Sequence, residues 1–153
     1  MGGFTVKWNF ADSFVTTGYG GNSHVVTTRK KMKFENPAYS EKMFGDLVAA
    51  FYRRVRADDL IGPMYPDTDW EGAEQRLRDF LIYRFGGSDR YIQERGHPRL
   101  RMRHAPFKIG IPERDRWLEI MSEAMEETKV SKEVALDMKV FFEQVAEFMR
   151  NDS

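Results

Sequence analysis

The residues best suited to chemistry in this chain are His97 and His104, which lie in one basic segment. A neutral imidazole nitrogen is a common metal ligand. A lone histidine among arginines is usually solvated or structural, so a second argument is needed. That argument comes from the surroundings: a helix too short to be held by its own packing is predicted to end at His104, between two strongly amphipathic helices. Pro106 and Phe107 follow directly.

The absence of cysteine limits how a metal or cofactor could be held. With no cysteine in the chain, disulfides, thiolate metal sites, iron–sulfur clusters and thioether anchors are excluded. Any such group must be bound by histidine, tyrosine, methionine or carboxylate.

Charge and hydropathy limit the classes of molecule that we expect this protein to bind. Lys and Arg number 24 and Asp and Glu also number 24, which gives a formal net charge of zero. The whole molecule is therefore not steered toward nucleic acid or an anionic membrane. No apolar run approaches the roughly 20 residues that cross a bilayer, and the first residues lack a signal-peptide pattern. We expect a soluble, cytoplasmic protein with no nucleic-acid or membrane partner.

The first 35 residues differ from the rest of the chain. They are rich in glycine, serine and threonine and show no helical period. The alternation of Phe4, Val6, Trp8 and Phe10 fits a strand, but no second convincing strand is visible to pair with it. We predict a flexible or loosely docked extension over residues 1–35 and a single domain over residues 36–153.

Four long amphipathic helices are predicted in that domain, because apolar residues recur there at steps of three and four. A capping box at residues 68–71 is expected to start a second helix over about 69–85, which Gly86 and Gly87 end. Pro112 suits the first turn of the third helix, and Ser131 caps the last. The apolar stripes are Phe44, Leu47, Val48, Phe51, Tyr52 and Val55; Trp70, Ala73, Leu77, Phe80 and Leu81; Trp117, Ile120, Met121, Ala124 and Met125; and Val134, Met138, Phe141, Phe142, Val145, Phe148 and Met149.

The segment around the two histidines carries a family resemblance. Residues 96–107, Gly-His-Pro-Arg-Leu-Arg-Met-Arg-His-Ala-Pro-Phe, resemble the proximal haem segment of group II truncated haemoglobins. Two departures are present: residues 36–40 replace the glycine pair that usually precedes the first long helix, and the N-terminal extension lies outside the family pattern. Agreement continues through residues 51–52, 64–66, 72–77, 85–87 and 113–117.

The resemblance implies an all-α truncated globin fold, a two-over-two helical sandwich around haem b (iron protoporphyrin IX), with an irregular N-terminal extension. It places the proximal iron ligand at His104. The other ring N–H of such a ligand needs an acceptor, and the carbonyl of Leu100, four residues earlier on a short helix, is expected to supply it. His97 is the competing ligand. Because Pro98 would set His97 at the start of that helix, we favour a structural or haem-edge role for it.

On the opposite side the resemblance places five residues in the distal pocket. A phenol or indole donor aimed at a diatomic ligand with negative charge is worth about 1.5–3 kcal/mol. Trp117 and Tyr65 are the favoured donors, and Tyr52 is a third polar member, although all three could instead be core aromatics. The predicted distal residues are Tyr52, Tyr65, Ala73, Leu77 and Trp117.

Further haem contacts are expected from cations and from apolar walls. Arg76 and Arg103 are candidates to meet the haem carboxylates, while Arg99 and Arg101 are expected to face solvent. The predicted wall residues are Phe80, Leu81, Phe107, Ile109 and Met121.

Three functions remain open at this level. The first is reversible binding of dioxygen, nitric oxide or carbon monoxide by an oxygen carrier or store. The second is a haem redox enzyme, performing nitric oxide dioxygenation or peroxidase-like chemistry, with an unidentified reductase. The third is an interaction module without haem, which a Soret band would exclude.

Overall fold

The computed structural model describes residues 6–9, 13–16 and 34–153 of the chain. All regular elements within residues 34–153 are helices, as the sequence predicts. The elements are β1 (Val6–Asn9), β2 (Ser13–Thr16), α1 (Glu41–Arg56), a 3-10 turn (Gly62–Met64), α2 (Trp70–Arg84), α3 (Arg90–Arg95), α4 (Leu100–His104), α5 (Ile111–Glu127) and α6 (Lys132–Met149).

Local capping explains where the long helices begin. Ser40 Oγ accepts a hydrogen bond from Met43 N at the start of α1, and Ser131 Oγ accepts one from Val134 N at the start of α6. These bonds satisfy main-chain donors that the first turn leaves free. The capping box predicted at residues 68–71 is wrong: Asp69 is the N-cap of α2 but makes no side-chain capping bond. Its carboxylate instead pairs with Arg76, at 2.8 Å.

The long helices form two packed layers. α1 packs against α2 and α5, and α5 packs against α6. The core between them consists mainly of fully buried side chains of the predicted stripes, so burial of these stripes holds the layers together. Ile82 of α2 is also buried there, although it lies outside the predicted stripes. The largest buried stripe residues are Phe44, Leu47, Phe51, Leu81, Ile120, Met121 and Met138.

Two glycines near the site occupy positions where a side chain would be strained or would clash with the main chain. Gly86 ends α2 with φ of 97°, in the left-handed region that favours glycine. At Gly62 an added Cβ would lie 2.6 Å from the carbonyl oxygen of Val55. A side chain is therefore excluded at Gly62, where the turn after α1 passes close to the helix.

The N-terminal segment corrects one prediction. β1 has an antiparallel partner, β2, with Val6 opposite Thr16 and Asn9 opposite Ser13. The sequence analysis predicted no strand that would pair with the first one, and this prediction is wrong. Phe34, which was assigned to the extension, stacks on Phe44 with ring centroids 6.0 Å apart. Residues 1–5, 10–12 and 17–33 of the extension, including Phe4 and Phe10, lie outside the described residues.

None of the described helices has the length and apolar character needed to span a bilayer.

Candidate functional site

A cavity of about 420 Å³ lies between the helical layers. Its volume falls within the range of about 300–1,000 Å³ typical of cofactor and ligand pockets. It brings together every predicted site residue except Met121, which is buried in the core and does not line the cavity. The predicted residues that line it are Tyr52, Tyr65, Ala73, Arg76, Leu77, Phe80, Leu81, Arg103, His104, Phe107, Ile109 and Trp117.

The proximal wall is formed by α4 and the loop that follows it. His104 is the last residue of α4, and its Nδ1 lies 2.6 Å from the carbonyl oxygen of Leu100. A carbonyl can only accept, so Nδ1 carries the proton and Nε2 of the neutral ring keeps a free lone pair. This is the predicted bond. It leaves Nε2 as the nitrogen able to bind iron.

His97 is placed differently. It is exposed and does not line the cavity, and its Nδ1 accepts a hydrogen bond of 3.1 Å from Arg99 N. That bond supports the left-handed residue Arg99, with φ of 45°, at the start of α4. His97 therefore supports the turn before the helix.

The C-terminal end of the chain holds the proximal loop through Asn151, which the sequence reading did not single out. Asn151 Nδ2 donates to the carbonyls of His104, at 3.3 Å, and Phe107, at 2.8 Å. Its Oδ1 accepts from Ile109 N at 2.9 Å, and its own N–H donates to Ile109 O at 2.9 Å. One asparagine thus ties together the main chain of residues 104–109.

Three aromatic residues on the distal wall share hydrogen bonds. The Tyr65 oxygen accepts bonds from the Trp117 indole N–H and the Tyr52 hydroxyl. The Tyr52 and Tyr65 rings meet edge to face, with centroids 5.7 Å apart. With both lone pairs of its oxygen occupied, Tyr65 has its own O–H left to donate.

Electrostatics keep these phenols protonated. Burial raises the pKa of Tyr52 well above its ordinary value. Burial also raises the pKa of Tyr65, and the two hydrogen bonds that its oxygen accepts oppose this only in part. Both side chains therefore remain hydrogen-bond donors at neutral pH.

A salt bridge positions the turn that carries Tyr65 against the helix that carries Trp117. The Asp58 carboxylate accepts from Leu60 N at 3.0 Å, Ile61 N at 2.9 Å and Arg116 Nε at 2.5 Å. Burial would raise the pKa of Asp58, but these hydrogen bonds outweigh it and hold the pKa below its ordinary value. Arg116 immediately precedes Trp117, so this salt bridge connects the turn that carries Tyr65 to α5, the helix that carries Trp117.

The two predicted carboxylate-binding cations both line the cavity. Arg76 pairs with Asp69, and Arg103 Nη2 donates to the carbonyl of Arg95 at 3.3 Å. The sequence prediction included no residue of the wall that α6 supplies, although the apolar stripe of that helix was the available signal. The cavity-lining residues of α6 are Phe141, Phe142, Val145, Ala146 and Met149.

The donor set fits a haem rather than a bare metal ion. Among the described residues no group of three or more histidine, cysteine, aspartate or glutamate side chains could hold an ion. A single histidine with a free Nε2, facing an apolar and aromatic cavity, suits a cofactor whose macrocycle brings its own nitrogen ligands.

Comparisons with known proteins agree with this arrangement. The family model for bacterial-like globins matches residues 38–151. The group 2 truncated hemoglobin YjbI of Bacillus subtilis is 36% identical over 97 residues, which cover 63% of this chain and 73% of that protein.

Solved structures lead to the same family. The hemoglobin of Chloroflexus aurantiacus superposes with a TM-score of 0.73 at 42% identity, covering 78% of this chain and 97% of that one. The truncated oxygen-avid haemoglobin of Bacillus subtilis gives a TM-score of 0.73 at 34% identity, covering 78% and 98%. The chain therefore belongs to the bacterial-like globins, within the group II truncated haemoglobins, and this membership implies that it binds haem.

Proposed function

We propose that the protein binds haem b in this cavity and reversibly binds dioxygen and related diatomic gases, as an oxygen carrier or store. One observation carries the proposal: a lone histidine with a free Nε2 on one wall faces a hydrogen-bonded group of Tyr52, Tyr65 and Trp117 on the other, in which the Tyr65 O–H is left to donate. When bound, haem b supplies an iron with one open coordination position for a diatomic gas.

The chain's own residues account for binding and orientation. His104 would hold the iron through Nε2, and the bond from Nδ1 to the Leu100 carbonyl fixes the ring and raises its basicity. Arg76 and Arg103, which line the cavity, would meet the haem carboxylates. Ala73 has no polar atom, so the distal wall acts through Tyr65, Tyr52 and Trp117.

These donors favour dioxygen over carbon monoxide. Dioxygen gains negative charge on binding, and a charge-assisted bond from a phenol or indole is worth about 1.5–3 kcal/mol. Carbon monoxide stays nearly neutral and gains less. One solved relative is described as oxygen-avid, which supports the same direction for this chain.

A second candidate function is redox chemistry in the same pocket, by nitric oxide dioxygenation or a peroxidase-like reaction. The observation that favours it is that Tyr52, Tyr65 and Trp117 are joined in one hydrogen-bonded group. The two bonds that the Tyr65 oxygen accepts polarise its O–H and make it a stronger donor to the ligand. A stronger donor slows ligand release, and very slow release makes oxygen delivery inefficient. This reaction requires an electron donor.

Spectroscopy and release kinetics test both functions. We expect the purified protein, reconstituted with haemin and reduced, to show a Soret band that shifts reversibly under oxygen. A release rate on the scale of oxygen delivery supports the carrier, and release too slow for delivery supports redox turnover. Failure of the wild type to form a Soret band with added haemin would contradict both.

A further inference from the structure

The arginines of residues 34–153 fall into two groups. Most of those outside the proximal segment pair with carboxylates of this chain. This paired group is Arg53, Arg54, Arg76, Arg78, Arg90, Arg114, Arg116 and Arg150.

The second group consists of the four arginines of the proximal segment, Arg95, Arg99, Arg101 and Arg103. Within residues 34–153 none of them has a carboxylate partner. Two of them bond instead to main-chain carbonyls: Arg101 Nη1 donates to Phe148 O at 3.1 Å, and Arg103 Nη2 donates to Arg95 O at 3.3 Å. Residues 95–109 contain no acidic side chain at all. Since the chain has zero net charge, this basic segment is a local feature.

The same surface has an apolar centre. Met102 lies between these arginines in the sequence and is 60% exposed. Arg95, Arg99 and Arg101 are exposed as well. Exposed methionine and arginine are enriched in protein interfaces, and uncompensated positive charge selects an acidic partner.

The position of this surface indicates what the partner does. Leu100, Arg103 and His104 of α4 line the cavity, while Arg101 and Met102 of the same helix are exposed. A protein docked on the outer side would be separated from the cavity by about one helix diameter, about 10 Å. Such a partner is placed to exchange electrons with the group that His104 holds.

We propose that Arg95, Arg99 and Arg101, around Met102, form a docking surface for an acidic one-electron carrier protein of the flavodoxin or ferredoxin class. Docking allows one electron to leave the reduced carrier and to convert the bound iron from ferric to ferrous; no bond forms or breaks. Arg103 is left out because it lines the cavity. The proposal rests on the proposed function, since it requires bound haem.

The test uses the ferric, haem-loaded protein with flavodoxin as the probe. Binding of oxidised flavodoxin is measured by calorimetry, and anaerobic reduction by photoreduced flavodoxin is followed by stopped flow. For the wild type we expect both to weaken as ionic strength rises, because a Debye length of about 8 Å at physiological salt screens exposed charges. Arg95→Glu/Arg99→Glu should slow reduction at least about tenfold at low salt.

Two matched controls separate docking from other effects. Lys139→Glu changes the charge of an exposed residue on α6 and should leave binding and reduction close to those of the wild type. Photoreduced free riboflavin, which needs no docking surface, should reduce all the proteins at the same rate.

Several outcomes would overturn the proposal. These are a wild type that neither binds nor is reduced by flavodoxin or ferredoxin, an unaffected double variant, or equal slowing by Lys139→Glu. The surface would instead be assigned to lipid if the wild type bound phosphatidylglycerol vesicles but not the carrier, and if the double variant lost this vesicle binding. The absence of a Soret band would contradict the proposed function itself. A haem-loaded protein that does not bind the carrier would contradict only the proposed docking surface.

Discussion

The two walls of the cavity are built in different ways. The distal wall takes Tyr52 and Trp117 from long helices and Tyr65 from the residue after a short 3-10 turn, and joins them by hydrogen bonds and ring contacts. The proximal wall consists of short helices and a loop whose residues are mostly exposed. Polar contacts hold this wall, chiefly from Asn151.

The difference shows which wall depends on the cofactor. Edge-to-face aromatic pairs contribute about 0.5–1.5 kcal/mol each beyond the area that they bury, so the distal wall is stable as part of the core. Exposed segments with few buried contacts open locally at low free-energy cost. We therefore expect the distal geometry to be preformed and the proximal geometry to be completed when haem binds.

The largest effect is expected at the proximal ligand. His104→Gly removes the side chain whose Nε2 is proposed to bind iron, and no cysteine exists to replace it. Stable haem binding should be lost and should return on addition of imidazole, which fills the vacated space. Absorption spectra with and without imidazole measure this.

His97→Ala is the matched control, because His97 is exposed and outside the cavity. A normal histidine-ligated spectrum in His104→Gly, together with its loss in His97→Ala, would reverse the assignment.

The next effect concerns the distal donors. Trp117→Phe keeps most of the ring and removes the N–H, so dioxygen release should accelerate by about ten- to a hundredfold, while carbon monoxide release changes much less. Tyr65→Phe should act in the same direction, and the double variant should be non-additive because Trp117 donates to Tyr65. Stopped-flow displacement measures all three.

Trp70→Phe serves as the tryptophan control, because Trp70 stacks on Tyr65 but does not line the cavity. Unchanged release in the Trp117 and Tyr65 variants would leave both residues as core aromatics.

A smaller effect is expected from the salt bridge behind the distal wall. Asp58→Asn weakens the bond to Arg116 because a neutral amide replaces the charged partner of the guanidinium. Because the pKa of Asp58 in the folded protein lies below its ordinary value of 3.8, the carboxylate stabilises the fold above that pH. This stabilisation is lost as pH falls through the folded-state pKa.

Urea unfolding at several pH values tests this prediction. The wild type should exceed Asp58→Asn in free energy of unfolding at neutral pH, and the gap should close in acid. A gap that stays constant down to the lowest pH would mean that the carboxylate charge does not stabilise the fold.

A several-fold effect is expected on the proximal side from Asn151→Asp. The aspartate keeps an acceptor for Ile109 N but loses the amide that donates to His104 O and Phe107 O. Haem transfer to apomyoglobin should be several-fold faster than in the wild type, and the iron–histidine stretching frequency should shift. Asp152→Asn leaves Asn151 in place and is the control. Identical haem loss and Raman spectra would show that Asn151 does not position the ligand.

The smallest effect is expected from deleting residues 1–33. Both walls are formed by residues 34–153, so the haem spectrum and dioxygen release should be unchanged. Loss of haem-loaded, soluble protein on truncation would show that the extension stabilises the cavity.

Local features of this protein could be predicted from its sequence. The apolar stripes located α1, α2, α5 and α6, because helical periodicity reports directly which face is buried. The bond from His104 to Leu100 was also predictable, since residues four apart on a helix lie on the same face. The family resemblance indicated Tyr52, Ala73, Leu77 and Trp117 as pocket residues, which periodicity alone would have assigned to the core. It also indicated Tyr65, which lies on no apolar stripe.

Only the tertiary structure decided the contacts between distant segments. Asn151 reaches the His104 carbonyl across 47 positions, and Arg116 reaches Asp58 across 58. Met121 lies on a predicted stripe yet packs in the core away from the cavity, and β2 was missed as the partner of β1. The hydrophobic periodicity of a helix determines which of its side chains are buried. Which residues of other segments pack against those side chains depends on how the helices cross. The sequence therefore determined the helices and indicated His104 as the proposed iron ligand, and packing decided which side chains meet around it.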